Sequence, residues 1–253
     1  MFFTGFHCHA RLSYCGKFEN KLLPNRSIYQ TMEEHIVKIR SVKDVTHNVR
    51  AFQLDKPPGY KFEPGQATEV SINKGRWKDE KRPFTFTGLN EWPYLQFTIK
   101  MYRDHDGVTN ELGTLRPGDE LIIRDVWGAI AYKGEGYFIA GGAGITPFIA
   151  ILRQLKKDNK VNNNQLYFSN KTSADIILHE ELDQILGKNA HYIITDEKDH
   201  QSGKKHIDKD FLISEIKNFS KPFYVCGPDK MVSDINEILT ELGADPESVV
   251  FEK

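Results

Sequence analysis

The hydrophobic pattern of the chain changes its period near residue 133. Before this point Leu95, Phe97 and Ile99 alternate with polar residues, in the clearest of several runs with a period of two. After it, Tyr137–Ala140 is a continuous apolar run that leads into a glycine-rich loop and a helical segment. Alternation is typical of half-buried antiparallel strands, whereas continuous apolar runs between helices are typical of a buried parallel sheet. The sequence therefore predicts two domains that meet near residue 133, with a site at their junction.

The first domain is predicted to be a six-stranded antiparallel β-barrel. Six short strands fit into this part of the chain, and turn sequences such as Pro57-Pro58-Gly59 separate them. In the second domain, strand and helix patterns alternate as far as Val249–Phe251, which predicts a doubly wound parallel α/β sheet. The predicted fold class is α+β with two domains, a barrel over residues 32–132 followed by an α/β sheet over residues 133–253.

Composition argues against several classes of function. The formal net charge is −1 and no basic arm is present, so the chain has no field that would attract nucleic acid. No stretch reaches the run of about 18 apolar residues that a membrane helix needs, and we expect no membrane association. The cysteines match no common zinc or iron–sulfur spacing, which predicts no metal site. So few cysteines are typical of a reducing compartment, and we expect a cytoplasmic monomer.

Residues 1–31 differ in character from the rest of the chain. They contain His7, Cys8 and Cys15, but no second ligand pair follows at a metal-binding spacing. They also lack the apolar core of a secretory signal. Met32 stands just before the first patterned run and would be a natural start. We therefore expect residues 1–31 to be a poorly ordered leader without a catalytic role.

A glycine-rich loop, Gly141–Pro147, follows the first apolar strand of the second domain. Glycines there allow the backbone to approach a pyrophosphate, and the N-terminus of the following helix offers free N–H groups and the positive end of its dipole. Pro147 suits the first helical turn, because its missing N–H costs nothing there. Pro147 also stands where the GxGxxG fingerprint has its third glycine. The alternative interpretation is a tight strand-to-helix turn that binds no ligand.

Two further motifs flank this loop. Arg82-Pro83-Phe84-Thr85 precedes it, and Cys226-Gly227-Pro228 follows it near the end of the chain. Together with Gly142–Pro147, in this order, the motifs resemble those of the ferredoxin–NADP reductase family, and the resemblance covers roughly residues 34–253. It implies an FAD-binding barrel and an NAD(P)-binding α/β domain. The implied enzyme moves a hydride from NAD(P)H to FAD and then passes single electrons to a separate flavodoxin or ferredoxin.

The resemblance implies a flavin site around the first motif. Arg82 would pair with the FAD pyrophosphate, because a guanidinium offers a planar fork of donors. Phe84, after Pro83, would stack on the isoalloxazine ring at a position where the family more often has tyrosine. Thr85 would place its hydroxyl near flavin N5, the atom that accepts the hydride. Thr87 lies in phase with Thr85 and is expected to face the same way.

Other FAD contacts are implied around the barrel. Gly107, Val108 and Thr109 match a segment that opens a short helix whose amides hold FAD phosphate oxygens, although Thr109 equally fits an ordinary N-cap. Lys100 ends a strand where the family contacts the flavin ring through its backbone, and the alternative is a solvated barrel residue. Gly128 matches a glycine that lets the chain pass close to the flavin.

The second domain would hold the nicotinamide nucleotide. The resemblance assigns the pyrophosphate to the glycine loop, and it assigns the nicotinamide to a pocket bounded by Cys226, whose thiol would lie near the reacting C4 atom. The alternative for Cys226 is a buried strand-end residue that acts as a small hydrophobe. Ser169 and Asn170 stand where the family reads the adenosine 2′ position, but Asp196 and Glu197 would oppose a phosphate there, which leaves NADH and NADPH open. The implied contacts are Gly142, Gly144, Thr146, Pro147, Ser169, Asn170, Cys226, Gly227, Pro228 and Met231, and the implied catalytic residues are Thr85 and Cys226.

A group of cations beside the expected flavin site bears on the electron acceptor. Basic side chains outnumber the acidic Asp79 and Glu80 there, and a basic rim would steer an acidic flavodoxin or ferredoxin. The alternative is a solvated loop. The basic rim consists of Lys74, Arg76, Lys78, Lys81 and Arg82. Two other functions stay open: the reductase component of a multicomponent oxygenase, and a flavin-binding electron-relay subunit without its own NAD(P)H reaction.

Overall fold

Two β-sheets of different type form the described part of the chain. The computed structural model describes residues 33–128, 130–196 and 206–245, and the backbone of residues 249–251. The expectation of a leader at residues 1–31 and the opposing charge expected at Glu197 fall outside these residues. From residue 33 onward, the described residues belong to one compact unit.

The first sheet is antiparallel and closes into a barrel. Its strands are β1 His35–Thr46, β2 Val49–Asp55, β3 Ala67–Ile72, β4 Arg82–Thr85, β5 Tyr94–Lys100 and β6 Glu120–Trp127, and the short helix α1 (Val108–Leu112) lies between β5 and β6. The order in the sheet is β4-β3-β6-β1-β2-β5. An antiparallel bridge between Phe86 and Phe97 joins the chain just beyond β4 to β5, so the two edges meet. The predicted six-stranded barrel is confirmed.

Strand β1 reaches both sides of the barrel because it bends. Its first residues, from His35 to Lys38, pair with β6, and the residues from Ile39 to Thr46 pair with β2. Register shifts after Ile39 and after Asp44 interrupt the pairing with β2. Irregularities of this kind bend a strand and increase its twist, which helps a small sheet to close.

The second sheet is parallel. Its strands and helices are β7 Tyr137–Gly141, α2 Thr146–Lys157, β8 Gln165–Asn170, α3 His179–Leu186, β9 Ala190–Ile194, α4 Lys209–Glu215, β10 Phe223–Cys226, α5 Asp229–Glu241 and β11 Val249–Phe251. The strand order is β11-β10-β7-β8-β9. The chain therefore runs outward from β7 through β8 to β9, then returns to β10 on the other side of β7.

Helices cover both faces of this sheet, which explains its continuous apolar strands. Phe138 and Ile139 are neighbours in β7 and both have no exposed surface, yet they belong to different cores. Phe138 packs with Phe148 of α2, whereas Ile139 shares its core with Ile235 of α5. Because side chains alternate across a strand, a sheet buried on both faces needs apolar residues at every position. The predicted doubly wound sheet is confirmed.

Within the described ranges, no helix is long and apolar enough to span a membrane. The same residues contain no group of three or more His, Cys, Asp and Glu side chains arranged to hold a metal ion.

Candidate functional site

A cleft of about 510 Å³ opens where the parallel sheet meets the barrel. It lies at the carboxyl ends of β7, β8 and β10, where the order of the strands reverses, and ligands bind at such switch points in open α/β sheets. The barrel contributes Asn48, Val49, Lys100 and Tyr102 to its wall. The residues expected from the sequence that line the cleft are Lys100, Gly142, Gly144, Thr146, Ser169, Asn170, Cys226, Gly227, Pro228 and Met231.

The glycine loop packs directly on the loop that follows β10. A methyl group on Gly144 would stand 2.6 Å from the Gly227 nitrogen, and one on Gly141 would stand 2.9 Å from Pro228 Cδ. A side chain at either position would therefore force the ends of β7 and β10 apart. Gly142 differs, because its φ is +51° and a methyl group there would meet nothing within 4 Å. Two of these glycines thus serve loop packing, while Gly142 is the one whose backbone borders free space.

Helix α2 begins at the cleft. Thr146 is its first residue and lines the cleft, and Pro147 occupies the first turn, as the sequence predicts. A 3-10 turn, Gly142–Ile145, leads directly into the helix, the Thr146 amide donates to the Ala143 carbonyl oxygen, and Pro147 has no N–H. This end of the helix therefore offers an anion the positive end of the helix dipole and not the amides of Thr146 and Pro147. Pro147 itself is buried and lies outside the cleft lining. Its contribution is to fix where the helix starts.

Cys226 is the last residue of β10 and forms part of the cleft wall. Only 7% of it is exposed, and it packs in the same core as Ala140 and Phe148. The position fits both interpretations made from the sequence. Cys226 is buried in the core like a small hydrophobe, and it also lines the cleft. Pro228 and Met231, at the start of α5, continue the wall beside it.

Asn170 carries an acceptor without a partner in the wall of the cleft. The residue is 4% exposed, and its Oδ1 has no hydrogen-bond partner among the described residues. Its Nδ2 reaches the Phe168 carbonyl oxygen at 3.5 Å. A buried polar atom without a partner costs free energy, on the order of 1–3 kcal/mol. That oxygen has almost no exposed surface, so a donor on a bound molecule reaches it only when the Asn170 side chain turns toward the cleft.

Asp175 is a cleft residue that the sequence analysis did not identify. Its carboxylate accepts hydrogen bonds from the Thr172 hydroxyl at 2.7 Å and the Thr172 amide at 3.0 Å. Burial alone would raise the pKa of Asp175, but these bonds and the nearby His47 and Lys100 hold the pKa below its usual range. The side chain is therefore charged at neutral pH. The signal in the sequence is the capping-box spacing from Thr172 to Asp175.

The first motif forms the edge strand β4, outside the cleft. Arg82 is exposed, and its guanidinium donates to the Lys81 carbonyl oxygen at 2.6 Å and to Glu80 at 3.4 Å. Pro83 is exposed as well. Phe84 is half-buried, with its ring 6.4 Å from that of Phe97, so one face of it rests on the barrel core. Thr85 is 8% exposed.

Arg82 and helix α1 lie at the same end of the barrel. Arg82 pairs with Val70 near the end of β3, and the segment after β3 is tied to the region of α1 by two ion pairs. One joins Lys74 to Glu111 at 3.5 Å, and the other is a bidentate pair between Arg76 and Asp106 at 2.7 and 2.9 Å. An elongated ligand held by Arg82 would therefore have the N-terminus of α1 nearby.

The start of helix α1 corrects one interpretation. The N-cap is Gly107, so the ordinary N-cap considered for Thr109 is wrong, and Thr109 is the second residue of the helix. The side chain of Val108 is buried in the barrel core. Only its backbone amide can therefore contribute to binding. The amides of Val108 and Thr109 are among those that a helix leaves without an intrahelical partner.

The structure also places three other barrel residues named from the sequence: Thr87, Gly128 and Lys100. Thr87 is fully buried and its hydroxyl lies 3.0 Å from that of Thr98, and the expectation that it faces the same way as Thr85 stays a prediction. Gly128 has a φ of +131°, and a methyl group there would lie 3.3 Å from the Ala67 nitrogen. A glycine is favoured here because the backbone passes close to the start of β3. Lys100 lines the cleft with its ammonium 5.9 Å from the centre of the Tyr102 ring.

The basic rim is balanced by carboxylates. Beside the pairs of Lys74 with Glu111 and Arg76 with Asp106, Lys81 lies 4.0 Å from Glu69 and Arg82 lies 3.4 Å from Glu80. The excess of basic residues predicted from the sequence counted only Asp79 and Glu80 as acids. The acids Glu69, Asp106 and Glu111 lie further away in the chain. Four of the five rim cations thus have a carboxylate neighbour, which weakens the field that the rim projects.

Comparison with known proteins agrees with this arrangement. Residues 138–237 match the family model described as the oxidoreductase NAD-binding domain. The chain is 27% identical over 225 residues to NADH-cytochrome b5 reductase 2 of Mycosarcoma maydis, covering 78% of this chain and 63% of that relative. It is 23% identical over 235 residues to the reductase component of propane 2-monooxygenase of Rhodococcus jostii, covering 85% and 62%. A ferredoxin NADP+ reductase from Neisseria gonorrhoeae, solved with bound FAD and NADP, matches with a TM-score of 0.72 at 18% identity, over 83% of this chain and 92% of that one.

These matches confirm the resemblance that the three motifs indicate. The chain has the two-domain fold of ferredoxin–NADP reductase-like oxidoreductases, and residues 138–237 in its second half match the oxidoreductase NAD-binding domain. It spans less than two thirds of the length of the two relatives compared above by sequence, 63% and 62%.

Proposed function

We propose that this protein is an FAD-dependent NADH oxidoreductase that passes single electrons to a separate carrier. Residues 32–132 would bind FAD and residues 133–253 would bind the nicotinamide nucleotide. The observation that carries the proposal is the cleft at the switch point of the parallel sheet, whose wall on the barrel side includes Lys100 and Tyr102. The unpartnered acceptor of Asn170 in that cleft fits a site built for a ligand.

The barrel residues fit the parts of FAD. Arg82 is exposed and can donate to a pyrophosphate once it leaves Glu80, and the first amides of α1 can donate to the same group. Phe84 offers a half-exposed ring that also packs against the barrel core, and Thr85, the next residue of the strand, would offer its hydroxyl. When bound, FAD would supply the acceptance of a hydride and the release of single electrons. Gly128 allows the chain to pass close to the start of β3.

The α/β residues would orient the nicotinamide nucleotide. Gly142 and the N-terminus of α2 would hold its pyrophosphate, while Cys226 would limit the space around the nicotinamide. Asn170 would accept a hydrogen bond from a ribose hydroxyl. Holding two reactants close to the distance of attack lowers a barrier by about 7–11 kcal/mol, and a hydride transfer requires no general acid or base from the protein. Thr85 and Cys226 would accordingly act by contact and orientation.

A preference for NADH over NADPH follows from Asp175. Its carboxylate is charged at neutral pH and lines the same cleft as Asn170, so a 2′-phosphate bound near it would meet a like charge. Several relatives are named NADH-cytochrome b5 reductases, which is consistent with this preference. Exposed Lys171 also lines the cleft and reduces the repulsion, so we expect a preference rather than an exclusion.

We expect Asp175→Asn to raise kcat/KM for NADPH by about tenfold and to change that for NADH little, because one like charge is removed near the 2′ position. Steady-state rates with both nucleotides and a small artificial acceptor would measure the effect. Asp158→Asn is the matched control, since Asp158 is an exposed carboxylate just after α2 and does not line the cleft. An equal change in both variants, or none with Asp175→Asn, would contradict the assignment.

The proposed electron acceptor is a flavodoxin or ferredoxin. The basic rim supports an acidic partner, although its carboxylates limit the attraction. Cytochrome b5 and an oxygenase component are the alternatives favoured by the names of the relatives. An electron-relay subunit without its own NAD(P)H reaction fits less well, because the glycine loop and Cys226 line a formed cleft.

A comparison of acceptors tests this part of the proposal. The FAD-loaded protein would be given NADH and, in separate assays, flavodoxin, ferredoxin or cytochrome b5 at equal concentration. We expect flavodoxin or ferredoxin to be reduced faster than cytochrome b5. Faster reduction of cytochrome b5 would replace the proposed acceptor while leaving the reductase reaction intact.

A further inference from the structure

The guanidinium of Arg153 joins helix α2 to the barrel and to α3. Nη1 of Arg153 donates to the Thr87 carbonyl oxygen and to Gln96 Oε1, both at 2.6 Å. Nε and Nη2 of the same side chain donate to the two carboxylate oxygens of Glu181 on α3, at 2.6 and 2.8 Å. The Arg153 side chain is 12% exposed, so these four bonds are largely shielded from water. A planar guanidinium with donors on two sides is suited to fix two partners at once.

Neighbouring contacts strengthen this link. The Arg153 guanidinium lies 5.3 Å from the centre of the Trp92 ring, which belongs to the loop between β4 and β5. Lys157, one turn further along α2, forms an ion pair with Glu91 in the same loop. The far part of α2 thus holds the connection between β4 and β5 at several points. We call this set of contacts the α2 clamp.

The α2 clamp connects the two halves of the proposed site. Thr87 lies two residues beyond Thr85, at the end of the strand that carries the flavin motif. Arg153 and Thr146 belong to the same continuous helix, α2, and at about 1.5 Å per residue they are roughly 10 Å apart along it. A regular helix and a paired strand are both stiff. The position of the glycine loop relative to Thr85 therefore depends in part on the bonds that Arg153 makes, beside the packing of Ile151 of α2 close to Gly65.

We infer that Arg153 is a positioning residue for hydride transfer, one that sets the distance between the nicotinamide cleft and the flavin strand. The inference rests on the proposed function. The alternative is that Arg153 and Glu181 merely stabilise the fold. A buried ion pair often adds little net stability compared with apolar residues, because desolvation offsets the attraction. The effect of such a pair on the reaction rate can be much larger than its effect on stability, since a displacement of about 1 Å at a reacting centre can cost roughly 100-fold in rate.

The test uses the full chain loaded with FAD and three variants. Arg153→Gln removes the fork, Arg153→Lys keeps the charge without the fork, and Glu181→Gln weakens the pair on the α3 side. Arg40→Gln is the matched control, because Arg40 also bonds a carboxylate and a backbone carbonyl, those of Asp55 and Pro93, but entirely within the barrel. Rapid mixing with saturating NADH would give the rate of flavin bleaching, and its dependence on NADH would give the apparent affinity.

We expect Arg153→Gln and Arg153→Lys to bleach about 10- to 100-fold more slowly than the parent. Their FAD content and apparent NADH affinity should stay within about threefold of the parent, because neither cofactor touches Arg153 in this arrangement. Glu181→Gln should show a smaller loss of the same kind, and Arg40→Gln should match the parent. A parallel loss of NADH affinity, FAD and rate in the Arg153 variants would indicate a structural role and overturn the inference.

Amide hydrogen exchange gives a readout that needs no turnover. In Arg153→Gln the amides around Thr87 and Trp92 should exchange faster than in the parent, while those of the strands on the far side of the barrel should not change. Unchanged exchange in this loop together with an unchanged bleaching rate would overturn the inference about Arg153 and leave the proposed function in place. Failure of the parent protein to bind FAD, or to be bleached by NADH, would instead overturn the proposed function.

Discussion

Arg82→Ala is expected to purify with little or no FAD while it keeps its fold. Charge-assisted bonds from a guanidinium to a phosphate are worth about 1.5–3 kcal/mol, so FAD should bind on the order of 10- to 100-fold more weakly. The fold should survive, because Arg82 is exposed and, within the described part of the chain, bonds only the neighbouring Lys81 carbonyl oxygen and Glu80. The ratio of flavin to protein absorbance, together with the thermal midpoint, measures both effects.

Lys78→Ala is the control for this experiment. Lys78 belongs to the same basic rim and is exposed, but it lies outside strand β4 and the motif. Its loss should leave the flavin content close to that of the parent. Full flavin retention by Arg82→Ala would remove the phosphate role from Arg82, and equal losses in both variants would point to the summed charge of the rim instead.

Gly144→Ala is expected to abolish binding of the nicotinamide nucleotide and to destabilise the protein. The added methyl would stand 2.6 Å from the Gly227 nitrogen, so the loops after β7 and β10 must separate. Overpacking of this kind costs about 1–3 kcal/mol, and the displaced loops are the ones that line the cleft. Thermal or denaturant unfolding would measure the stability, and NADH titration of the bound flavin would measure binding.

Gly136→Ala separates the two effects. Gly136 also supports the approach of β7 to β10, and a methyl there would stand 2.9 Å from the Pro222 carbonyl carbon. It lies just before β7, at the opposite end of the sheet from the cleft. We expect a comparable loss of stability with NADH binding retained. If Gly136→Ala loses NADH binding to the same degree, the loss in Gly144→Ala reflects general destabilisation and not the geometry of the cleft.

The sequence was sufficient to predict the fold because the fold depends on local patterns. Alternation in β5 indicates a strand with one buried face, and the apolar run of β7 indicates a strand buried on both faces. The glycine loop and Pro147 mark where β7 ends and α2 begins, and the structure has that boundary at Thr146. Each of these signals lies within a few residues, so none of them requires knowledge of the tertiary structure.

The details of the site depended on contacts between distant segments, which a single sequence does not reveal. Arg76 and Asp106 are 30 residues apart, and their pairing decides how much of the rim charge is compensated. Thr87 continues the phase of Thr85, yet the closing bridge of the barrel buries it against Thr98. Gly144 reads as a phosphate-loop glycine, but the contact with Gly227 is what excludes a side chain there.

The central claim is that the barrel and the parallel sheet bring a flavin and a nicotinamide nucleotide together for hydride transfer. The most direct test is to reconstitute the purified full chain with FAD and titrate it with NADH without oxygen, following the flavin absorbance. We expect the protein to retain FAD through gel filtration and one equivalent of NADH to bleach it. A protein that retains no FAD, or retains FAD that neither NADH nor NADPH bleaches, would contradict the claim.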